Sequence, residues 1–149
     1  MIPGGREITN PSNDCPMRYI LALLSCFPAI ICGQDASAAY AALTPVQRQL
    51  DAYNTGDLET FLSVYSDTVR IYNYPDELLT EGKEAMRTNY GRMFDNLPDL
   101  HCRLVSRMVM GSQVLDHESV LVAPDQPPRE VIAIYTVTDG LITEVRFMR

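Results

Sequence analysis

Residues 103–122 read RLVSRMVM, then Gly111-Ser112, then QVLDHESVLV. Two β-rich runs flank a two-residue polar turn that contains glycine, a strong short-range signal for an antiparallel hairpin. A second pair of runs follows. REVIAIYTVT and LITEVRFMR are joined by Asp139-Gly140, a strong type I′ hairpin signal between two alternating apolar runs. A chain whose last fifty or so residues read as two hairpins is committed to an antiparallel sheet. Everything before must either cover a face of that sheet or extend it.

The segment before the sheet is helical with one strand in it. Thr44-Pro45 reads as a helix start, Thr as N-cap and Pro at the first helical position. Val46, Leu50 and Tyr53 then recur on one helical face. Gly56 is placed to cap its C-terminus. Asp57 caps a second, short helix with Leu58, Phe61, Leu62 and Tyr65 on its apolar side. Thr68 to Pro75 (TVRIYNYP) is β-branched and aromatic, a strand ended by proline. Asp76 to Glu81 reads as a polar loop. A third helix starts near Gly82, carries Ala85, Met86, Tyr90, Met93 and Phe94, and stops at Asn96 and Pro98. The expected order is α-α-β-α-β-β-β-β, an α+β fold with helices on one face of the sheet.

The first forty residues belong to a different class of sequence. Residues 1–16 are rich in Pro, Gly and Asn. Met17-Arg18 then opens an apolar stretch from Tyr19 to Cys32, followed by Gly33 and the small residues Ala36-Ser37-Ala38-Ala39. A basic start, a short apolar core and small residues beyond it describe a secretory leader. The stretch is broken by Pro28 and is shorter than the roughly 20 residues that a spanning helix needs. Residues 1–38 are therefore read as leader, with Met17 as the true start and cleavage after Gly33 or Ala38. The chain is expected to be exported. A lipid-anchored form through Leu23-Leu24-Ser25-Cys26 is a weaker alternative, and a buried N-terminal helix is another. Three of the four cysteines lie in this leader, so an exported chain keeps only Cys102 and forms no internal disulfide.

Bulk chemistry excludes several roles. With a net charge of −7 and no basic run, the chain lacks the general electrostatic attraction that nucleic acids and anionic membranes require. There is no phosphate-binding loop, dinucleotide glycine fingerprint or zinc spacing, and no cofactor is expected. His101 and His117 are the only histidines. Cys102 adjoins His101 on a strand, so their side chains leave opposite faces and suggest no metal site.

Three stretches together carry a resemblance: AYNTGDLETFLSVYSDTVRIYNYP, EGKEAMRTNYGRMF and IYTVTDGLITEVRFM. A helix ending in Asn-x-Gly-Asp, a short helix, a strand ending at proline and a closing Asp-Gly hairpin occur in the order of the nuclear transport factor 2-like superfamily. Within it the chain resembles the SnoaL-like and ketosteroid-isomerase-like proteins over residues 43–149. The resemblance implies a curved mixed sheet wrapped on three helices as a cone, a pocket at the open end for a small apolar ligand, and a homodimer through the outer sheet face. It does not carry over a known catalytic set. The ketosteroid isomerase pattern of a Tyr donor, an Asp base and an Asp donor falls here on Gln49, on Tyr74 or a close neighbour, and on Ala133. The Arg-x-Asp strand pair of limonene epoxide hydrolase has no counterpart.

Site residues must then be argued from the chain itself. Strand alternation separates His117, with Leu115, Ser119 and Leu121, from Asp116 and Glu118 on the other face. The resemblance turns the His117 face into the pocket. There a histidine could act as acid and base near neutral pH. A shift of one residue would exchange the faces and make Asp116 and Glu118 a paired-carboxylate alternative. Otherwise these two form a solvated or interfacial face, paired with Arg103 or Arg107. Tyr53, Tyr74, Tyr90 and Tyr135 are expected to offer an apolar ring and one hydroxyl to a ligand. Gln49 is expected to bond a ligand carbonyl. The sequence thus leaves two readings open: a proton-transfer enzyme on a small apolar or polycyclic molecule, or a non-catalytic binding or assembly domain.

Overall fold

The structure is a computed structural model that describes residues 33–149. The leader expected over residues 1–38 lies mostly outside the described residues. Helix α1 spans Gly33–Thr55, α2 Leu58–Ser63 and α3 Lys83–Asn96. The strands are β1 (Tyr65–Asn73), β2 (Glu77–Glu81), β3 (His101–Met110), β4 (Gln113–Leu121), β5 (Arg129–Thr138) and β6 (Leu141–Met148). They form one six-stranded sheet in the order β2-β1-β6-β5-β4-β3. All neighbours are antiparallel except β1 and β6, which run parallel. The sheet is therefore mixed. It stays unclosed, with β2 and β3 at its edges, and curves around the three helices as an α+β cone.

Both expected hairpins are present. Gly111 takes a positive φ of 59°, and Asp139 and Gly140 take φ of 51° and 76°, the left-handed pair that a type I′ turn requires. Registry shifts at Ile71/Tyr72, Leu104/Ser106 and Thr136/Val137 mark bulges, which bend strands and deepen local twist. The edge strand β3 is tied to α1 by Asn54. Its amide donates to the Cys102 carbonyl (2.9 Å), and its oxygen accepts from the Cys102 N–H (2.7 Å).

The structure corrects the element boundaries in three places. Helix α1 begins at Gly33, not at Thr44, because the alanine-rich run before Thr44 is itself strongly helical. Thr44 does not cap: its hydroxyl donates back to the Tyr40 carbonyl at 3.1 Å, and Pro45 sits inside the helix. Tyr65 does not extend α2, which stops after Ser63 with Val64 as C-cap. Tyr65 instead opens β1. The polar segment Asp76–Glu81 is not all loop, since Glu77–Glu81 pairs with β1. Its sequence looks unlike a strand because, at the sheet edge, only Thr80 is buried.

The core lies between helices and sheet. Val46, Phe61, Leu62, Val69, Met86, Val114, Ala133, Ile142 and Val145 are all buried there. Phe61 sits at the centre of an aromatic group, with ring centroids 4.6 Å from Tyr90, 5.1 Å from Tyr65, 5.7 Å from Phe94 and 6.2 Å from Tyr53. This group holds α1, α2, α3 and β1 at fixed spacing around the open end of the cone.

Candidate active site

The decisive fact is the orientation of β4. Val114, Asp116 and Glu118 are buried, whereas Leu115 and His117 are only half-buried. The carboxylates face the cone interior and His117 faces outward. The expectation that His117 lines the pocket is thereby corrected. Its Nε2 lies 2.5 Å from Glu130 Oε2 on the outer sheet surface. The expectation of a solvated or interfacial carboxylate face is corrected too. Asp116 is fully buried and Glu118 nearly so.

The two inward carboxylates have different partners. Opposite Asp116 across the hairpin is Arg107. Its Nε and Nη2 donate to the two Asp116 oxygens, each at 2.6 Å, and its Nη1 donates to Gln47 Oε1 at 2.7 Å. This is a bidentate, charge-assisted pair. Glu118 has no such cation. It receives the Tyr135 hydroxyl at 3.1 Å. Tyr135 in turn accepts from the Gln49 amide at 3.0 Å, and Gln49 Oε1 accepts from the Tyr65 hydroxyl at 3.2 Å. The chain Tyr65–Gln49–Tyr135–Glu118 joins β1, α1, β5 and β4, and no fully buried side-chain polar atom among the described residues is left without a partner.

Glu118 opens onto a cavity of about 440 Å³, within the range of small-molecule sites. Gln49, Tyr53, Tyr65, Tyr90, Cys102 and Tyr135 share its wall with apolar side chains. Burial is the main force on the Glu118 carboxyl and, with the charge of Asp116, raises it to about 7, against the opposing pull of the Tyr135 hydroxyl, the Cys102 thiol and Arg107. A carboxyl with that affinity can both accept and release a proton near neutral pH. Burial pushes the Tyr90 phenol up to about 12 and the Tyr53 phenol higher still, so both remain protonated donors. Neither hydroxyl bonds to another group among the described residues, and both residues line the cavity. Burial likewise raises the Cys102 thiol and keeps it neutral.

Of the residues expected at the site, the structure brings together Gln49, Tyr53, Tyr90, Tyr135 and Glu118. Asp116 stands behind the wall. Tyr74 is exposed outside the cavity at the end of β1. Gln49 is buried and committed to two tyrosines, so it orients rather than standing free. Tyr65, whose spacing predicts the apolar side of α2, instead opens β1 and joins the cavity wall, a position that helical spacing does not signal. The fixed register from the Gly111-Ser112 turn was the signal that could have chosen Arg107 over Arg103 as the partner of Asp116. Among the described residues no three His, Cys, Asp or Glu side chains converge as a metal site, and no helix is long and apolar enough to cross a membrane.

Cone, cavity and buried acid define a pocket protein of the nuclear transport factor 2-like type. The family model of the SnoaL-like domain matches residues 46–145, and the chain belongs to that family. Among solved structures, a cystatin-fold protein from Novosphingobium aromaticivorans is similar at 28% identity and TM-score 0.68, covering 72% of this chain and 97% of its own. A SnoaL-like protein from Burkholderia thailandensis has 20% identity and TM-score 0.62, over 72% of this chain and 92% of its own. An LEH-like epoxide hydrolase from M. tuberculosis also has 20% identity and TM-score 0.62, over 74% and 83%. No curated protein matches.

The Arg107–Asp116 pair yields a prediction. Arg107→Met leaves a buried carboxylate without its cation and should lower unfolding free energy by about 3–5 kcal/mol. The double variant Arg107→Met/Asp116→Leu should recover most of that loss. Urea denaturation of both variants measures it, and equal losses would show that the pair is not what makes Arg107 important.

Proposed function

We propose that this chain catalyses proton transfer on a small apolar molecule, with Glu118 as the group that moves the proton. The observation that carries this reading is an acid near neutrality, without a cation partner, opening on an apolar cavity. Tyr135 and Gln49 orient Glu118 and do not touch the reacting atoms. Tyr53 and Tyr90 supply free phenol donors to a ligand oxygen, where negative charge would grow as a neighbouring carbon loses its proton. Asp116 is held by Arg107 behind the cavity wall, and its charge helps to raise Glu118. The reading moves the acid/base role from His117 to Glu118.

A generic carbon acid tests it. With 5-nitrobenzisoxazole, a carboxylate takes the ring C–H proton as the N–O bond breaks. Turnover should rise with pH through a midpoint near 7, because the base acts when ionised, and should fall about 100-fold in Glu118→Gln. An unchanged rate in that variant removes Glu118 from the role. Binding without turnover is the second reading. It is favoured by Ala133, which occupies a position where the resemblance expects a carboxylate.

Assembly and export belong to the same proposal. The outer sheet face exposes Met108 and Met110 beside half-buried Leu115, Ile132 and Ile134, and this apolar area supports a homodimer. The leader of residues 1–38 supports export. Cleavage after Gly33 would leave α1 almost whole, and cleavage after Ala38 would remove its residues from Gly33 to Ala38. Native mass spectrometry of periplasmic or secreted protein should show a dimer of a shortened chain, converted to monomer by Met108→Lys. A full-length monomer would contradict both.

A further inference from the structure

The inward-facing rows of β5 and β6 both finish on arginine. On β5, Val131, Ala133 and Tyr135 are buried toward the cone, and even spacing puts Arg129 on the same face. On β6, Val145 is buried and Phe147 packs against the core, so Arg149 continues their row. Arg129 lies opposite Val120 of β4. Both arginines line the cavity at its mouth, and the Arg149 guanidinium stacks over the Phe147 ring, 5.2 Å from its centroid.

Arg70, Lys83, Arg87, Arg107 and Arg146 each have a carboxylate partner. Arg48, Arg92, Arg103, Arg129 and Arg149 have none among the described residues, and of these five Arg129 and Arg149 are the two that line the cavity. Glu130, adjacent to Arg129, also borders the cavity, but its carboxylate is engaged by His117. The positive charge of Arg149 is also felt by the cavity phenols: it opposes the rise that burial imposes on Tyr90 and Tyr53.

We propose that the cavity's ligand is an apolar molecule bearing one anionic group at one end, held at the mouth by Arg129 and Arg149. The apolar body enters toward Glu118, Tyr53 and Tyr90. A second charge deep in the ligand would have no cation to meet it, since Arg107 is already bound to Asp116. A guanidinium fork accepts carboxylate, sulfonate or phosphate alike, so the shared chemistry is a single oxyanion. The inference rests on the cavity being a ligand site, as proposed above, but not on Glu118 moving a proton.

Two fluorescent probes of one shape separate charge from apolar contact. 1-Anilinonaphthalene-8-sulfonate carries a sulfonate, and N-phenyl-1-naphthylamine is the same framework without it. In Arg129→Met/Arg149→Met, which keeps apolar stems at exposed positions and should leave the circular dichroism unchanged, the sulfonate probe should lose about tenfold in affinity. The neutral probe should stay within about twofold. Displacement of the sulfonate probe by decanoate and by decyl phosphate then ranks carboxylate against phosphate. An unchanged affinity for the sulfonate probe, or a parallel loss for the neutral one, overturns the inference alone. Failure of the wild-type chain to take up either probe overturns the cavity reading and this inference with it. An arginine-dependent preference without turnover of the carbon acid leaves this inference standing and removes only the catalytic reading.

Discussion

Two carboxyl groups on one strand face, two residues apart, cannot both stay ionised in an apolar interior unless each finds a cation or strong donors. In this chain only one of them does. Asp116 takes both arms of Arg107, and Glu118 is left with the Tyr135 hydroxyl and the Cys102 thiol. The asymmetry is a consequence of hairpin register. The turn at Gly111-Ser112 puts Arg107 opposite Asp116, and the irregularity between Leu104 and Ser106 moves the next pairing out of step. A single cation placed by a turn thus gives one of the two carboxyls a bidentate partner and leaves the other without one.

The surrounding fold buries and orients Glu118. Gln49 from α1, Tyr65 from β1 and Tyr135 from β5 form one relay onto it, so its position is tied to three elements and not to a loop. The arrangement costs stability. Because the folded carboxyl titrates near 7 and an unfolded glutamate near 4.5, the folded state binds the extra proton between those values. Stability from this group is therefore present at low pH and falls as pH rises through that window, by on the order of 3 kcal/mol at most. Perturbed acids cluster at functional sites, which is why the proposed function is placed on Glu118.

Much of the fold could be read from the chain because its signals are local. Asp139-Gly140, Gly56 and the apolar spacing of α3 each dictate a conformation through neighbours in sequence. The orientation of β4 could not be read in this way. Val114, Asp116, Glu118 and Val120 alternate with Leu115, His117, Ser119 and Leu121, so both faces mix aliphatic and polar residues and the pattern does not choose which is buried. The choice is made by Arg107 and by the tyrosines of distant elements. For the same reason the tyrosines lining the cavity were legible as a class, but Tyr74 could not be told from Tyr53. Arg129 and Arg149 were invisible until strand parity placed them at the rim.

The central claim is that Glu118 is an acid of near-neutral affinity facing the cavity. It is tested most directly by a ¹³C NMR pH titration of the Glu118 side-chain carboxyl in the folded protein, assigned by its loss in Glu118→Gln. The expected midpoint is near 7. A midpoint near the ordinary glutamate value of 4.5 would contradict it and return the cavity to a passive role.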